Sequence, residues 1–148
     1  MGTIEAGCRD LEMELWSDAC CQIIRGGDAR RQAPAGKYLT ISCRLTRTDE
    51  SGKKWVLKSR EIPANLKNFE IAPGATFSTK AGTPLRAEIR APSTMSGDAI
   101  YISATFFGQA GEEYSARAQA DGKAVKPPTL RILDEREKVL ASGSFEFG

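Results

Sequence analysis

The 148-residue chain has no histidine. That absence excludes Ser-His-Asp and Cys-His nucleophilic machinery, His-ligated zinc or copper, and c-type haem attachment. Phosphate-cradling loops are missing as well. Arg25-Gly26-Gly27-Asp28 is glycine-rich but ends in an acid, without the Gly-Lys-Ser/Thr that closes a P-loop. No apolar run approaches the about 18 residues of a membrane-spanning helix. Met1-Gly2-Thr3-Ile4-Glu5-Ala6 has neither the basic nor the apolar region of a signal peptide. A four-thiolate zinc site would need Cys-x2-Cys knuckles, which the spacing of Cys8, Cys20, Cys21 and Cys43 does not supply. Adjacent acids at Asp49-Glu50, Glu112-Glu113 and Asp134-Glu135 read as solvated loop residues rather than calcium ligands or a glycosidase pair. The expectation is therefore no enzyme, no cofactor, no metal site and no membrane span.

Net charge is only +2 and predicts no nucleic-acid partner. The charges are unevenly spread, however. Ten Lys or Arg residues lie between Arg25 and Arg60 against three acids, while Glu5, Asp10, Glu12, Glu14 and Asp18 precede them with only Arg9. Such a distribution suits solvated strand faces, or a basic surface for an anionic polymer or a neighbouring copy's acidic edge.

All four cysteines fall in the first third of the chain, an even number that permits two bridges. Adjacent Cα atoms lie about 3.8 Å apart, closer than disulfides prefer. Cys20 and Cys21 are thus expected to bond different partners, Cys8 and Cys43. A bridge closing some twenty residues contributes about 3 kcal/mol. Bridged cysteines would point to an oxidising, extracytoplasmic compartment: periplasm, cell surface or secreted.

Hydrophobic alternation dominates the chain. Leu11, Met13 and Leu15 share one face of 11–16, and Glu12 and Glu14 the other. In 38–46, Leu39, Ile41, Cys43 and Leu45 alternate with Thr40, Ser42, Arg44 and Thr46, so the first set is expected inward. Further strands are expected over 53–59, 68–72, 84–91, 99–107, 113–118, 129–134 and 138–147, separated by Gly, Pro and Asx turns. Many short strands punctuated every 8–12 residues or so predict an all-β fold of about 7–9 antiparallel strands with little helix. A two-sheet sandwich is the expected form. No linker interrupts residues 1–148, so one domain is expected, with 1–20 forming an N-terminal strand and cysteine-bearing stretch.

Pro34-Ala35-Gly36-Lys37-Tyr38-Leu39, a Pro-x-Gly-x-Tyr turn opening a strand, resembles the prealbumin-like and carboxypeptidase-regulatory-like (Ig-like) sandwiches of bacterial extracytoplasmic proteins. The stretch Pro128-Thr129-Leu130-Arg131-Ile132-Leu133-Asp134, continuing to Gly143-Ser144-Phe145, is similar to their closing hairpins. The resemblance spans about 25 residues. It implies a sandwich in a surface or periplasmic setting and carries over no functional residues.

With Leu11, Leu39 and Ile100 inward, Trp16, Tyr38, Tyr101 and Phe107 point outward, a candidate interaction surface. The expected role is a non-catalytic structural or interaction module, with a protein partner or self-assembly. The alternative is a module binding carbohydrate or an anionic polymer, with Trp16, Trp55 or Tyr101 as a shallow platform.

Overall fold

A computed structural model describes residues 1–27, 30–91, 102–115 and 117–145. Strand covers 57% of the described residues and helix 3%. In order the strands are β1 (Gly2–Ala6), β2 (Leu11–Trp16), β3 (Cys21–Arg25), β4 (Arg31–Ala33), β5 (Gly36–Thr48) and β6 (Lys54–Glu61). After one helical turn, α1 (Ala64–Lys67), come β7 (Asn68–Ile71), β8 (Thr76–Thr79), β9 (Arg86–Arg90), β10 (Ser103–Phe107) and β11 (Glu113–Tyr114). The chain ends with β12 (Gln119–Ala120), β13 (Lys123–Ala124), β14 (Thr129–Leu133) and β15 (Val139–Ser144). No helix among the described residues is long and apolar enough to cross a membrane.

The all-β class agrees with the alternation, but the strands outnumber those expected. Gly2–Ala6 buries Gly2, Ile4 and Ala6 with period two, in a segment where small and polar residues hide the signal. Among the described residues the fifteen strands form three sheets. One has the order β4-β1-β8, with β1 antiparallel to β4 and parallel to β8. The large sheet runs β3-β2-β5-β6-β11-β10-β9, with β7, β12 and β13 paired alongside. The third is the β14–β15 hairpin.

One hydrophobic cluster draws on the first two sheets: Ile4 and Ala6 from β1 and Ala33 from β4 meet Leu11, Met13, Leu15, Ile24, Cys43 and Leu45 of the large sheet. Each fully buried Leu, Ile or Met contributes about 1.5–3 kcal/mol by leaving water. Tyr38, Phe69 and Phe77 stack in series, with centroids 5.5 Å and 3.7 Å apart, and join β5, β7 and β8.

The alternation of β5 breaks at Ile41. Against β2, Met13 pairs Cys43 and Glu14 pairs Ser42, but Leu15 pairs Thr40, so Ile41 is the extra residue of a β-bulge. A one-residue insertion exchanges the two faces of a strand. Cys43 and Leu45 point inward as expected, whereas beyond the bulge Tyr38 and Thr40 are buried and Ile41 is 51% exposed. Thr40 meets the cost of burying its hydroxyl by donating to the Leu66 carbonyl at 2.6 Å.

Candidate functional site

The bulge builds the most prominent apolar patch on the large sheet. Trp16, 49% exposed, ends β2 on the face opposite the core. Its direct neighbours are Cys21 on β3 and Leu39 on β5. Ile23, opposite Glu14, is a diagonal neighbour, and Ile41 is turned outward beside it by the bulge. Residues in such register lie about 4.5–8 Å apart. Trp16, Cys21, Ile23 and Ile41 therefore share one exposed face at the β3 margin of the sheet, with Glu14 between Ile23 and Ile41. Polar rows frame it. Glu12 is held between Arg25, 3.1 Å away, and Arg44, and Ser42 donates to Glu14 at 3.2 Å.

The other aromatic residues expected on this surface lie elsewhere. Tyr38 is a core residue, 3% exposed, because it lies beyond the bulge; its hydroxyl donates to the Pro34 carbonyl at 2.8 Å. Tyr101 lies outside the described residues. Phe107 shares the face of Trp16, but β5, β6 and β11 intervene, a separation of roughly 19 Å at the usual strand spacing. Between them the Arg60–Glu113 ion pair, at 3.7 Å, interrupts the apolar surface, and Phe107 is covered by the Arg86 guanidinium at 5.2 Å. Trp55 is also committed locally. Its Nε1 donates to Asp49 Oδ2 at 2.7 Å, and Lys53 sits over its ring at 5.3 Å.

All four cysteines are unbonded, in contrast to the bridges expected. Strand register explains why. Cys43 faces Met13 on β2, while Cys21 lies on the far side of β2 opposite Trp16, whose partner on β5 is Leu39. Two strand spacings and three residues along the strand place Cys21 roughly 14 Å from Cys43, far beyond a disulfide's reach. Cys20 turns toward Ser17, at 3.6 Å. Cys8 accepts from the Thr83 amide at 3.3 Å. Burial first, and then the charge of Glu112, push the Cys43 thiol up to about 12, so it is an inert core side chain.

A second polar centre escaped the sequence pattern altogether. Glu112, one of a pair of acids expected in a solvated loop, is 0% exposed. Its carboxylate accepts from the Gly82 amide and, at 3.0 Å each, from the Ala110 amide and the Tyr114 hydroxyl. It joins the 81–84 loop to the 108–112 turn, which the Gly108 amide closes on the Glu112 carbonyl at 2.8 Å. Glycine is required on both sides. A Cβ on Gly108 would overlap the carboxylate, and Gly82, at φ +109°, would bring one within 2.5 Å of Cys8 Sγ. Burial, then the Glu112 charge, raise the Tyr114 phenol far above its ordinary range. A carboxylate sealed from solvent on three donors organises two loops and has no access to a substrate.

Among the described residues no group of three His, Cys, Asp or Glu side chains converges as metal ligands would. The chain matches no protein-family model, no curated protein and no solved structure.

Proposed function

We propose that this chain is a non-catalytic interaction or structural module. Its three-stranded sheet and large sheet form a two-layer, prealbumin-like or Ig-like sandwich, and it serves a cell-envelope or secreted protein through the outer face of β2, β3 and β5. One observation carries the proposal: Trp16, Cys21, Ile23 and Ile41 are exposed together on one face of the sheet, with Glu14 among them and Glu12, Arg25 and Arg44 beside them. An apolar centre with a polar rim is how protein-binding surfaces are built, and exposed tryptophan supplies binding energy out of proportion to its area. The compartment rests on the resemblance of 34–39 and of the stretch from Pro128 alone, since unbonded cysteines lend an oxidising one no support.

Photo-crosslinking in the producing cell tests this. A p-benzoylphenylalanine at Trp16 is expected to give discrete adducts of higher mass, and the same group at exposed Lys80 is not. Equal, diffuse labelling from both positions would refute the proposal. Arg25, Arg44 and Lys58 in one cross-strand row of the same face favour a second reading, an anionic polysaccharide. In that case polysaccharide would shift Trp16 emission and salt would reverse the shift.

A further inference from the structure

The β14–β15 hairpin is built as an incomplete sheet. Among the described residues its strands pair only with each other, and all six residues of β15 are exposed, Leu140 to 63%. Leu133, Val139 and Leu140 are among the largest exposed apolar side chains of the molecule. A two-stranded sheet is marginal in water, and a third or fourth strand over an apolar face is what stabilises one. Protected edges carry Lys, Pro or inward charges. The sequence of β15, Val139-Leu140-Ala141-Ser142-Gly143-Ser144, has none. Its one irregularity, the bulge at Leu140, lies at the turn end and leaves Ala141–Ser144 in regular register with 129–132. Leu130 and Ile132 share a face with Ala141 and Gly143, which gives the hairpin one wholly apolar side.

From this we infer that β15 is an edge for strand addition and that its occupant is β15 of a second copy, paired antiparallel about a two-fold axis at Ser142. Such an axis, perpendicular to the sheet, requires residues facing each other to have numbers of equal parity. Ser142 then meets Ser142 of the second copy and Ala141 meets Gly143. The residues in regular register on each strand, Ala141, Ser142 and Gly143, are all small, so no bulky side chain is forced across the axis. A Cβ built on Gly143 would meet nothing within 4 Å, so there is room beside it. The paired serines can exchange a hydroxyl hydrogen bond, and no like charges meet along the strand. The two apolar sides join into one face of a four-stranded sheet, the self-complementary arrangement of an isologous dimer. The contact is small by the standards of permanent interfaces, so association should be weak and concentration-dependent.

Sedimentation equilibrium of the full chain is the test. The mass is expected to rise with concentration from 16.1 kDa toward twice that value. Ser142→Lys and Ser142→Glu place like charges across the axis, and each should raise the dissociation constant at least about tenfold. An equimolar mixture of the two should recover wild-type association, which a merely unfolded hairpin could not do. Trp16→Ala should leave the dimer unchanged, separating this edge from the β2-β3-β5 face. A monomer up to about 1 mM would overturn the inference and leave the edge to a foreign strand. A dimer that both Ser142 variants form as readily as wild type, or a mixture that fails to recover, would overturn it too.

Discussion

Removing the Glu112 carboxylate should be among the most damaging single changes in this protein. Glu112→Ala strands three donors in a fully buried site: the amides of Gly82 and Ala110 and the hydroxyl of Tyr114. An unsatisfied buried donor costs about 1–3 kcal/mol. Three such groups do not add fully, because the loops can relax toward water, so a loss of about 4 kcal/mol is expected. With a urea m-value of about 2 kcal/mol/M, the unfolding midpoint falls by about 2 M. Glu112→Gln keeps the shape and one acceptor oxygen, but its amide group must confront either the Ala110 amide or the Gly82–Tyr114 pair. An intermediate loss of about 1–3 kcal/mol follows. Tyr114→Phe removes one donor and leaves the carboxylate its two amides, at about 1 kcal/mol. Urea titrations followed by tryptophan fluorescence should rank the losses as Glu112→Ala, Glu112→Gln, Tyr114→Phe. A midpoint for Glu112→Ala within about 0.5 M of wild type would refute the account of Glu112 as the joint between 81–84 and 108–112.

Two further outcomes separate the structure from simpler expectations. Asp49 caps its own turn: the Ser51 hydroxyl and then Trp55 Nε1 lower its carboxyl from 3.8 to about 2, with the Lys53 and Ser51 amides assisting. Because the folded value is the depressed one, its stabilisation is complete above the unfolded value and disappears as pH falls toward 2. Acidification between pH 4 and 2 should therefore change Trp55 emission, and Asp49→Ala should abolish that transition while leaving Trp16 emission unaltered. On β5, Ile41→Ser should change stability by less than about 0.5 kcal/mol because the side chain is exposed. Thr40→Val should cost about 1–2 kcal/mol, since the buried Leu66 carbonyl loses its donor at 2.6 Å. The unbroken alternation of 38–46 predicts the opposite ranking, and thermal unfolding of the two variants decides between them.

How much of this was legible in the sequence depends on the distance over which each feature is determined. The β2 pattern needs only its own six residues. Leu11, Met13 and Leu15 are buried, Trp16 is exposed, and no partner strand changes that assignment. Strand β5 has an equally regular pattern, yet half of it faces the wrong way in a naive reading. The bulge at Ile41 is a property of two strands, set where β2 and β5 must keep Met13 against Cys43 and Leu15 against Thr40. Thr40, Ser42, Arg44 and Thr46 give no sign of it, because threonine is at home on either face of a sheet. The cysteines failed for the same reason. Even number and inward alternation bear on whether bridges are permitted, while register decides whether two sulfurs meet.

Glu112 is the extreme case. Nothing within a few residues distinguishes it from Glu113, which remains half-buried and pairs with Arg60. The donor that completes its site comes from Gly82, thirty residues away. Only the nearby glycines offered a signal. Gly108 and Gly111 bracket the turn, and Gly82 stands in a loop that must approach backbone to side chain without a Cβ. The exposed β2-β3-β5 face owes its form to the same non-local cause. Without the bulge Ile41 would lie in the core, Tyr38 would lie outside, and the β2-β3-β5 face would present a phenol beside Trp16 in place of an aliphatic wall. One inserted residue thus decides both which side chains pack the core and which are left exposed, so core stability and surface chemistry cannot vary independently along β5.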